Sequence, residues 1–324
     1  MNKIGVGIIG VGGVGQKVLE AFNELPNSYI VGICDTNEKI LYQVSKRYTS
    51  IPICTNYLEV LQNENVDLVY IAVPPKYHYP IVMDALKNNK HVLCEKPLAN
   101  SLKEAKEMWK TAEEKAVVHA MNFPTYYRNA YKTLNKIVTS NCLGSIQRIQ
   151  VKSYFPEWPR GWQKNNWINT REQGGFIREI MPHYIQLIHH LFGYMKDLRS
   201  LVTYPEDSKV SETGLLATSR LDNGIPIIFD GLCGTAEKEE MEFTVYGSQA
   251  VVSLKDWNNI YFGEKNQALT KIGDENPINH LLDLVGNVLN AIKGQPATLV
   301  TFKEGYEIQK VLENLLHNYY GDEL

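Results

Sequence analysis

The chain has 324 residues, of which 33 are basic and 36 acidic, so its formal net charge at pH 7 is −3. This length exceeds what a single hydrophobic core usually serves and predicts two domains. The nearly balanced charge gives no reason to expect a nucleic acid or an anionic membrane surface as a partner.

The five cysteines are widely spaced and include no Cys-x-x-Cys pair, which indicates reduced thiols rather than disulfides or a zinc site. The N-terminal sequence lacks the charged region, long apolar run and cleavage site of a signal peptide. No stretch of about 18 uninterrupted apolar residues predicts a membrane span. We therefore expect a cytoplasmic protein with no metal site and no membrane partner.

From residue 3 to about residue 120, short apolar runs alternate with stretches of helical periodicity, a pattern typical of a parallel α/β sheet. The predicted strands are Ile4 to Gly10, Tyr29 to Cys34, Leu68 to Val73, His91 to Cys94 and Ala116 to Met121. The predicted helices are Val14 to Glu24, Asn37 to Tyr48, Tyr57 to Gln62, Tyr79 to Asn88 and Ser101 to Lys115. Right-handed crossovers between parallel strands give a doubly wound Rossmann sheet.

After residue 122 the predicted strands follow one another, and the Asn223-Gly224 pair predicts a hairpin between two of them. The strands are Ile146 to Phe155, Leu198 to Tyr204, Thr213 to Leu221, Ile225 to Gly231, Glu239 to Tyr246 and Ala250 to Leu254. The helices are Phe176 to Phe192, Ile278 to Lys293 and Lys303 to Tyr319. We predict a dinucleotide-binding α/β Rossmann domain over residues 1–121. Residues 122–324 are predicted to form an α+β domain for substrate binding and oligomerisation, with a large, mostly antiparallel open sheet. Whether the C-terminal helix packs back on the first domain is left open.

A glycine-rich loop joins the first predicted strand to the first predicted helix. In such a loop Gly10 permits a tight turn, Gly12 lets the backbone approach a pyrophosphate, and Gly15 allows the helix to pack closely on the strand. The free N–H groups of the helix start favour phosphate. Asp35 ends the second strand 20 residues after Gly15, where a carboxylate binds ribose hydroxyls and repels a 2′-phosphate. The pattern favours NAD over NADP, with cofactor contacts from Gly10, Gly12, Gly13, Val14, Gly15 and Asp35.

Two further strands end at the edge of the sheet where open α/β folds bind ligands, one at Val73-Pro74 and one at Glu95-Lys96-Pro97. A lysine there lies near the expected nicotinamide, where its ammonium binds a substrate hydroxyl and favours the alkoxide. Glu95 tunes the charge of Lys96 or orients the cofactor. An isolated Lys-Pro pair more often marks an exposed lysine near a helix start.

Together these motifs resemble the glucose-fructose oxidoreductase and inositol dehydrogenase (Gfo/Idh/MocA) family. The resemblance implies that Lys96 is a catalytic and substrate-binding residue, and that Val73, Pro74, His78, Glu95 and Lys96 belong to the cofactor site. It covers essentially the whole chain and rests on the glycine loop, His78 to Pro80, His91 to Ala99, Asn122 to Arg128, Leu143 to Ile146 and Tyr246 to Ala250.

The predicted helix from Phe176 to Phe192 follows two glycines and carries Glu179 and His183 on one face, four residues apart. A histidine in an apolar helix is in some proteins only a hydrogen-bonded core residue. The resemblance implies that His183 is the general acid-base, a role that suits its near-neutral intrinsic pKa. Glu179 stands where the family has Asp, Met181 where it has a small residue, and Gln186 where a second Asp is common. These departures argue against a standard inositol or glucose substrate.

An aromatic segment before this helix supplies further candidates for substrate binding. Trp162 and Trp167 either form a pocket wall that stacks on a sugar ring or simply cover the sheet or a subunit interface, and the sequence favours neither. Arg128 is included as a substrate contact because it lies near the family's cleft in sequence order. His189 and His190 share no ligand face with His183 and do not predict a metal site.

The sequence thus predicts an NAD(P)-dependent oxidoreductase that transfers hydride between nicotinamide C4 and a carbinol or carbonyl carbon of a sugar, polyol or related small molecule. Lys96 holds the substrate oxygen, His183 exchanges its proton, and Glu179 orients His183 or a second substrate group. Reduction of an imine remains an alternative, as does a non-catalytic dinucleotide sensor, against which the presence of both Lys96 and His183 argues. The broad open sheet predicts a homodimer or homotetramer.

Overall fold

The computed structural model describes residues 3–163, 165–273 and 279–317. The chain forms two compact units, one of Met1–Pro124 with Asn279–Gln309 and one of Thr125–Ile278 with Lys310–Leu324. The predicted domains have a single boundary, between residues 121 and 122. The structure returns a later segment to the first unit because a helix at His280–Ile292 packs against the helix at Gly13–Glu24. The predicted helix ends at Ile278 and Tyr319 lie outside the described residues.

The first unit is built on a sheet of six parallel strands in the order β3-β2-β1-β4-β5-β6. The central strand β1 is buried along its whole length, as expected for a parallel sheet covered on both faces. The strand order reverses between β1 and β4, which is where such sheets bind ligands at their carboxyl ends. The strands are β1 Ile4–Ile9, β2 Ser28–Cys34, β3 Ile53–Cys54, β4 Leu68–Ile71, β5 His91–Glu95 and β6 His119–Asn122.

Helices connect these strands, and their starts show why the sequence folds locally in this way. The side chain of Asn37 accepts hydrogen bonds from the backbone of Lys39 and Ile40, and Ser101 accepts one from Glu104. Such N-caps satisfy the free N–H groups of a first helical turn. The helices are α1 Gly13–Glu24, α2 Glu38–Arg47, α3 Tyr57–Gln62, α4 His78–Lys87 and α5 Leu102–Glu114.

The second unit contains an eight-stranded sheet in the order β14-β13-β12-β11-β7-β10-β9-β8, antiparallel except for the β7 and β10 pair. Its helices are α6 Asn129–Thr139 and α7 Phe176–Phe192. The strands are β7 Ile146–Phe155, β8 Met195–Thr203, β9 Gly214–Leu221, β10 Pro226–Cys233, β11 Glu240–Gly247, β12 Ala250–Lys255, β13 Asn259–Glu264 and β14 Thr270–Ile272. The predicted combination of a Rossmann sheet and a mostly antiparallel second sheet is confirmed.

Helix α7 packs its apolar side on this sheet. The Phe176 ring lies 6.0 Å from the ring of Phe155 on β7, and the Tyr184 ring lies 6.2 Å from the ring of Phe243 on β11. Ten of its residues are buried, including Pro182. The helix is therefore held along its length, and the polar residues that it carries have fixed positions.

The chain ends with two helices, α8 His280–Ile292 and α9 Phe302–Leu316. At the start of α9, the Phe302 N–H donates to His119 Nδ1 at 3.1 Å, and the Tyr306 ring stacks on Trp109 with centroids 5.3 Å apart. The start of α9 is thereby fixed on β6 and α5 of the first unit. None of the helices in the described ranges is long and apolar enough to cross a membrane.

Candidate functional site

The glycine loop between β1 and α1 packs closely against the protein at Gly10 and Gly15 and is open at Gly12 and Gly13. Gly10 has a φ of +92°, and a Cβ atom there would lie 2.3 Å from the Ala72 carbonyl oxygen. A Cβ on Gly15 would lie 2.1 Å from the Gly10 carbonyl oxygen. At Gly12 and Gly13 an added Cβ would meet nothing within 4 Å. The turn is thus pressed against the end of β4 while its other side leaves room for a ligand.

The start of α1 offers donors to an anion. Gly12 is the N-cap residue and provides no side-chain acceptor, and the first turn contains no acidic residue. The backbone N–H groups of that turn are not satisfied within a helix, and the helix dipole places partial positive charge there. Val14, the second residue of the helix, is 52 % exposed. This arrangement fits a pyrophosphate group.

The Asp35 carboxylate is fixed beside the loop. Its Oδ2 accepts a hydrogen bond from Val11 N at 2.8 Å, and its Oδ1 accepts one from Asn37 N at 2.9 Å. The carboxylate is partly buried at the end of β2. Loop, helix start and carboxylate together fit the pyrophosphate and ribose of a dinucleotide, and the negative charge disfavours a ribose 2′-phosphate.

His78 joins the segments that follow β4 and β5. Its ring is fully buried, with Nδ1 2.9 Å from the Pro97 carbonyl oxygen and Nε2 2.8 Å from the Val73 carbonyl oxygen. Burial lowers the pKa of His78, which favours the neutral ring, and a neutral ring donates through only one nitrogen. The side chain therefore links Val73 to the Lys96-Pro97 turn, and the predicted contact of His78 with the cofactor stays a prediction.

Glu95 ends β5 in a hydrogen-bonded group that the sequence analysis missed. Its Oε1 accepts from the Tyr70 hydroxyl at 2.5 Å and from the Asn122 amide. Burial, followed by the charge of Glu95, raises the pKa of Tyr70. Register places Glu95 opposite Asn122, so both come to the carboxyl edge of the sheet. Next to it, Lys96 is partly buried and precedes Pro97 through a cis peptide bond.

Helix α7 begins against a buried carboxylate that was also not predicted. Oε1 of Glu212 accepts a hydrogen bond from Ile177 N at 2.7 Å in the first turn. Gly175, the N-cap residue, has a φ of +99°, and a Cβ there would lie 2.3 Å from Glu212 Oε2. Burial raises the pKa of Glu212, and the hydrogen bond from Ile177 opposes this rise. The second glycine before α7 thus leaves room for the carboxylate that caps it.

His183 lies on α7 one turn after Glu179, and both side chains are partly buried. The indole of Trp257, in the turn between β12 and β13, meets the His183 ring edge-on with centroids 5.3 Å apart. The same indole stacks on Tyr184 at 4.7 Å. Trp257, which the sequence analysis did not select, therefore packs against the proposed acid-base residue. Gln186, one turn further, is 2 % exposed.

The remaining predicted substrate residues, Arg128, Trp162 and Trp167, differ in burial and in contacts. A guanidinium nitrogen of Arg128 donates to Asn258 Oδ1, next to Trp257 in the β12–β13 turn. Trp167 is partly buried, whereas Trp162 is 70 % exposed. Trp158 packs against Phe155 and Phe176 and donates to the Ile168 carbonyl at 3.3 Å, so it supports the start of α7. Across the described ranges, no three His, Cys, Asp or Glu side chains form a cluster that could hold a metal ion.

Comparison with known proteins agrees with this geometry. Residues 4–123 match the model of an oxidoreductase family with an NAD-binding Rossmann fold, and residues 135–318 match the C-terminal α/β domain of the same family. The chain belongs to the Gfo/Idh/MocA oxidoreductase family. The predicted family and the predicted NAD-binding Rossmann domain are confirmed.

Several proteins similar to this chain are named dehydrogenases. D-glucoside 3-dehydrogenase of Escherichia coli is 23% identical over 97% of this chain and 95% of that protein. Glucose-6-phosphate 3-dehydrogenase of Bacillus subtilis is 30% identical over 59% of this chain and 54% of that protein. The chain spans about half or less of the length of several curated relatives that it matches. A solved levoglucosan dehydrogenase complexed with NADH has a TM-score of 0.85 at 16% identity, covering 97% of this chain and 96% of that one, which shows a shared fold.

Proposed function

We propose that this chain is an NAD-dependent dehydrogenase that oxidises a carbinol carbon of a sugar, polyol or related small molecule, or reduces the corresponding carbonyl. The observation that carries the proposal is the match of both domains to one oxidoreductase family, in a chain whose glycine loop and Asp35 fit a dinucleotide. The names of the relatives support a sugar-type substrate, since they include D-glucoside, glucose 6-phosphate and levoglucosan dehydrogenases.

We assign the cofactor contacts to three places in the first unit. Gly10, Gly12, Gly13, Val14 and Gly15 hold the pyrophosphate with backbone N–H groups, and Asp35 accepts hydrogen bonds from the adenine ribose. Val73, Pro74 and Glu95 line the carboxyl edge nearer the nicotinamide. When bound, NAD supplies the acceptor or donor of hydride. The fixed carboxylates of Asp35 and Glu95 limit how the cofactor is oriented.

We assign the proton chemistry to Lys96, His183 and Glu179. The Lys96 ammonium donates a hydrogen bond to the substrate oxygen and stabilises negative charge that develops there. The His183 imidazole removes the hydroxyl proton during oxidation and returns it during reduction, because an imidazole titrates near neutral pH. Glu179, one turn away on α7, orients His183 or holds a second hydroxyl of the substrate. Trp257 limits the orientations of the His183 ring.

The first test is calorimetric titration of the protein with NAD⁺, NADH, NADP⁺ and NADPH. We expect the two NAD forms to bind more tightly by about tenfold or more, because of the charge of Asp35. The second test follows NADH formation with a panel of hexoses, hexuronates, hexose phosphates and inositols. Cyclic imines with NADH test the reductase alternative. Binding of no nucleotide would contradict the cofactor assignment.

Variants then test the assigned roles. Lys96→Met and His183→Ala should each lower kcat by about 100- to 10,000-fold, and His183→Ala should leave NADH affinity within about twofold. Lys87→Met is the matched control, since Lys87 is exposed on α4. Unchanged turnover in both variants would refute their roles. Turnover of imines alone would establish the reductase, and NADH binding without any turnover would favour a sensor.

We also propose that the protein is a homodimer or homotetramer with a small-molecule substrate. The sheet of the second unit exposes Leu201, Leu216 and Leu232 on neighbouring strands β8, β9 and β10. Leu201 and Leu216 lie directly opposite each other in the strand register. Contiguous exposed apolar side chains on a sheet commonly mark a subunit contact.

A further inference from the structure

Arg128 differs from the other partly buried arginines in how its charge is balanced. Arg160 forms an ion pair with Glu239. Arg171 donates to the Val210 carbonyl and lies over the Tyr204 ring. Arg178 donates to the Arg171 and Gly174 carbonyls. Among the described residues, the guanidinium of Arg128 donates one hydrogen bond, to the amide oxygen of Asn258. Its Nε is buried with no hydrogen-bond partner in the described part of the chain.

The environment of Arg128 therefore removes part of the water around the guanidinium, although the hydrogen bond to Asn258 is exposed, and supplies no negative charge from the described residues. Burial lowers the pKa of Arg128, and no described acidic side chain acts in the opposite direction. A guanidinium has five N–H donors in a planar fork, which matches the two oxygens of a carboxylate or phosphate. A partly desolvated cation with most of its donors unused has a strong preference for an anionic ligand.

The position of Arg128 relates it to the proposed acid-base residue. Arg128 bonds to Asn258, and the preceding residue, Trp257, lies against His183. Arg128 is also the N-cap residue of α6, which packs against β12 and β13 on either side of that turn. The guanidinium and the imidazole are thus both placed by consecutive residues of the β12–β13 turn, within one unit of the chain.

We propose that Arg128 recognises an anionic group of the substrate, a carboxylate or a phosphate ester, so that this enzyme acts on an acidic sugar. The proposal rests on the proposed dehydrogenase function and narrows its substrate class. It also agrees with the departures at Glu179, Met181 and Gln186, which argue against a standard neutral inositol or glucose. Arg128 is a specificity-determining residue, and the proton chemistry remains with Lys96 and His183.

Equilibrium binding tests the proposal without relying on turnover. The protein saturated with NADH is titrated with glucose, glucuronate and glucose 6-phosphate, and with the galactose, galacturonate and galactose 6-phosphate set. We expect at least one anionic member to bind about tenfold or more tightly than its neutral partner. The uronates and the phosphates separate the two sources of negative charge. Arg128→Met should weaken that binding by about 30-fold or more and leave the neutral sugar unchanged.

Two further variants keep the result interpretable. Arg199→Met, at an exposed arginine on β8, is the matched control and should change no sugar affinity. Asn258→Ala removes the amide that aims the guanidinium and should weaken anion binding by about 3- to 10-fold, which gives a second reading if Arg128→Met fails to fold. In both Arg128→Met and Asn258→Ala, NADH affinity should stay within about twofold of the wild type.

The outcomes separate this proposal from the proposed function. If the wild type binds no anionic sugar in the panel, or if Arg128→Met binds it equally well, the role of Arg128 is refuted. If Arg128→Met weakens NADH instead, the anion that it recognises belongs to the cofactor and the substrate assignment is wrong. If anion binding depends on Arg128 but no sugar is oxidised, the anion site stands while the dehydrogenase proposal fails.

Discussion

The substitution Gly175→Ala tests whether the glycine before α7 exists to admit the Glu212 carboxylate. Two costs add at this position. With a φ of +99° and a ψ of 154°, Gly175 lies in a region adopted essentially by glycine alone, and a side chain there costs about 1–3 kcal/mol. The new Cβ would also lie 2.3 Å from Glu212 Oε2, so the carboxylate must retreat by about 1 Å to reach ordinary contact.

That retreat breaks the 2.7 Å hydrogen bond from Ile177 N, and a hydrogen bond to a charged group contributes about 1.5–3 kcal/mol. The expected loss in the free energy of unfolding is therefore about 2.5–6 kcal/mol. Urea denaturation followed by circular dichroism measures it. The matched control is Gly286→Ala in the interior of α8, where an added Cβ meets nothing within 4 Å. Replacing a helical glycine by alanine there should stabilise the protein by about 0.5–1 kcal/mol.

A double-mutant cycle isolates the contact itself. In the Glu212→Ala background the carboxylate is absent, so Gly175→Ala should cost only the backbone strain of about 1–3 kcal/mol. The coupling energy between the two sites should then be about 1.5–3 kcal/mol. Effects that add within about 0.5 kcal/mol would refute the reasoning, since the cost would then arise from the backbone alone.

Three further predictions concern charge and assembly. Burial raises the pKa of the Glu212 carboxyl above its ordinary value of 4.5, so the folded state holds this proton more tightly than the unfolded state does. The contribution of this carboxyl to stability is therefore greatest below pH 4.5 and falls as pH rises through the folded pKa. Glu212→Gln removes this titrating group, so the unfolding free energy measured by urea denaturation should fall less steeply with pH above 4.5. An unchanged slope would contradict the role of Glu212 in the pH dependence. Asp35→Ala should reduce the preference for NADH over NADPH by about tenfold in calorimetric titration, since it removes the repelling carboxylate, and an unchanged ratio would exclude that cause. Light scattering after size-exclusion chromatography should give two or four subunits, with Leu216→Lys shifting the protein toward monomer; a monomeric wild type at micromolar concentration would refute the assembly.

The features that the sequence predicted well are those defined by neighbouring residues. The bounds of α7 agree at both ends because Gly175 and Gly193 flank a continuous apolar period. The glycine loop is similarly local, since the strand, the turn and the helix start follow one another within a short segment. Strands β3 and β14 were missed because they have only two and three residues, too few to show a period. Strand β13, with six residues, and helix α6, with 11 residues, were also missed, and their length does not explain it.

The parts of the site that were missed depend on contacts between distant segments. Glu212 stands just before a predicted strand, and nothing in its neighbourhood relates it to the start of α7. Trp257 belongs to a turn whose residues Asp256 and Trp257 both have positive φ, a conformation that few non-glycine residues adopt and that sequence patterns therefore do not predict. Only the antiparallel register of β12 and β13 brings that turn beside His183.

Gln186 is a polar residue whose unusual position is evident from the sequence and whose unsatisfied amide is evident only from the structure. The sequence identifies it as a polar residue in an apolar helix, at a position where the resembled family commonly has Asp. The structure adds that it is 2 % exposed and that neither its amide oxygen nor its amide nitrogen has a hydrogen-bond partner in the described part of the chain. A buried polar group without a hydrogen-bond partner lowers the free energy of unfolding by about 1–3 kcal/mol. The Gln186 amide therefore does not stabilise the fold by packing, which points to a role near His183. An anionic substrate gives one physical reason for the change, since a neutral amide at this position avoids the repulsion that a second carboxylate on α7 would exert on it.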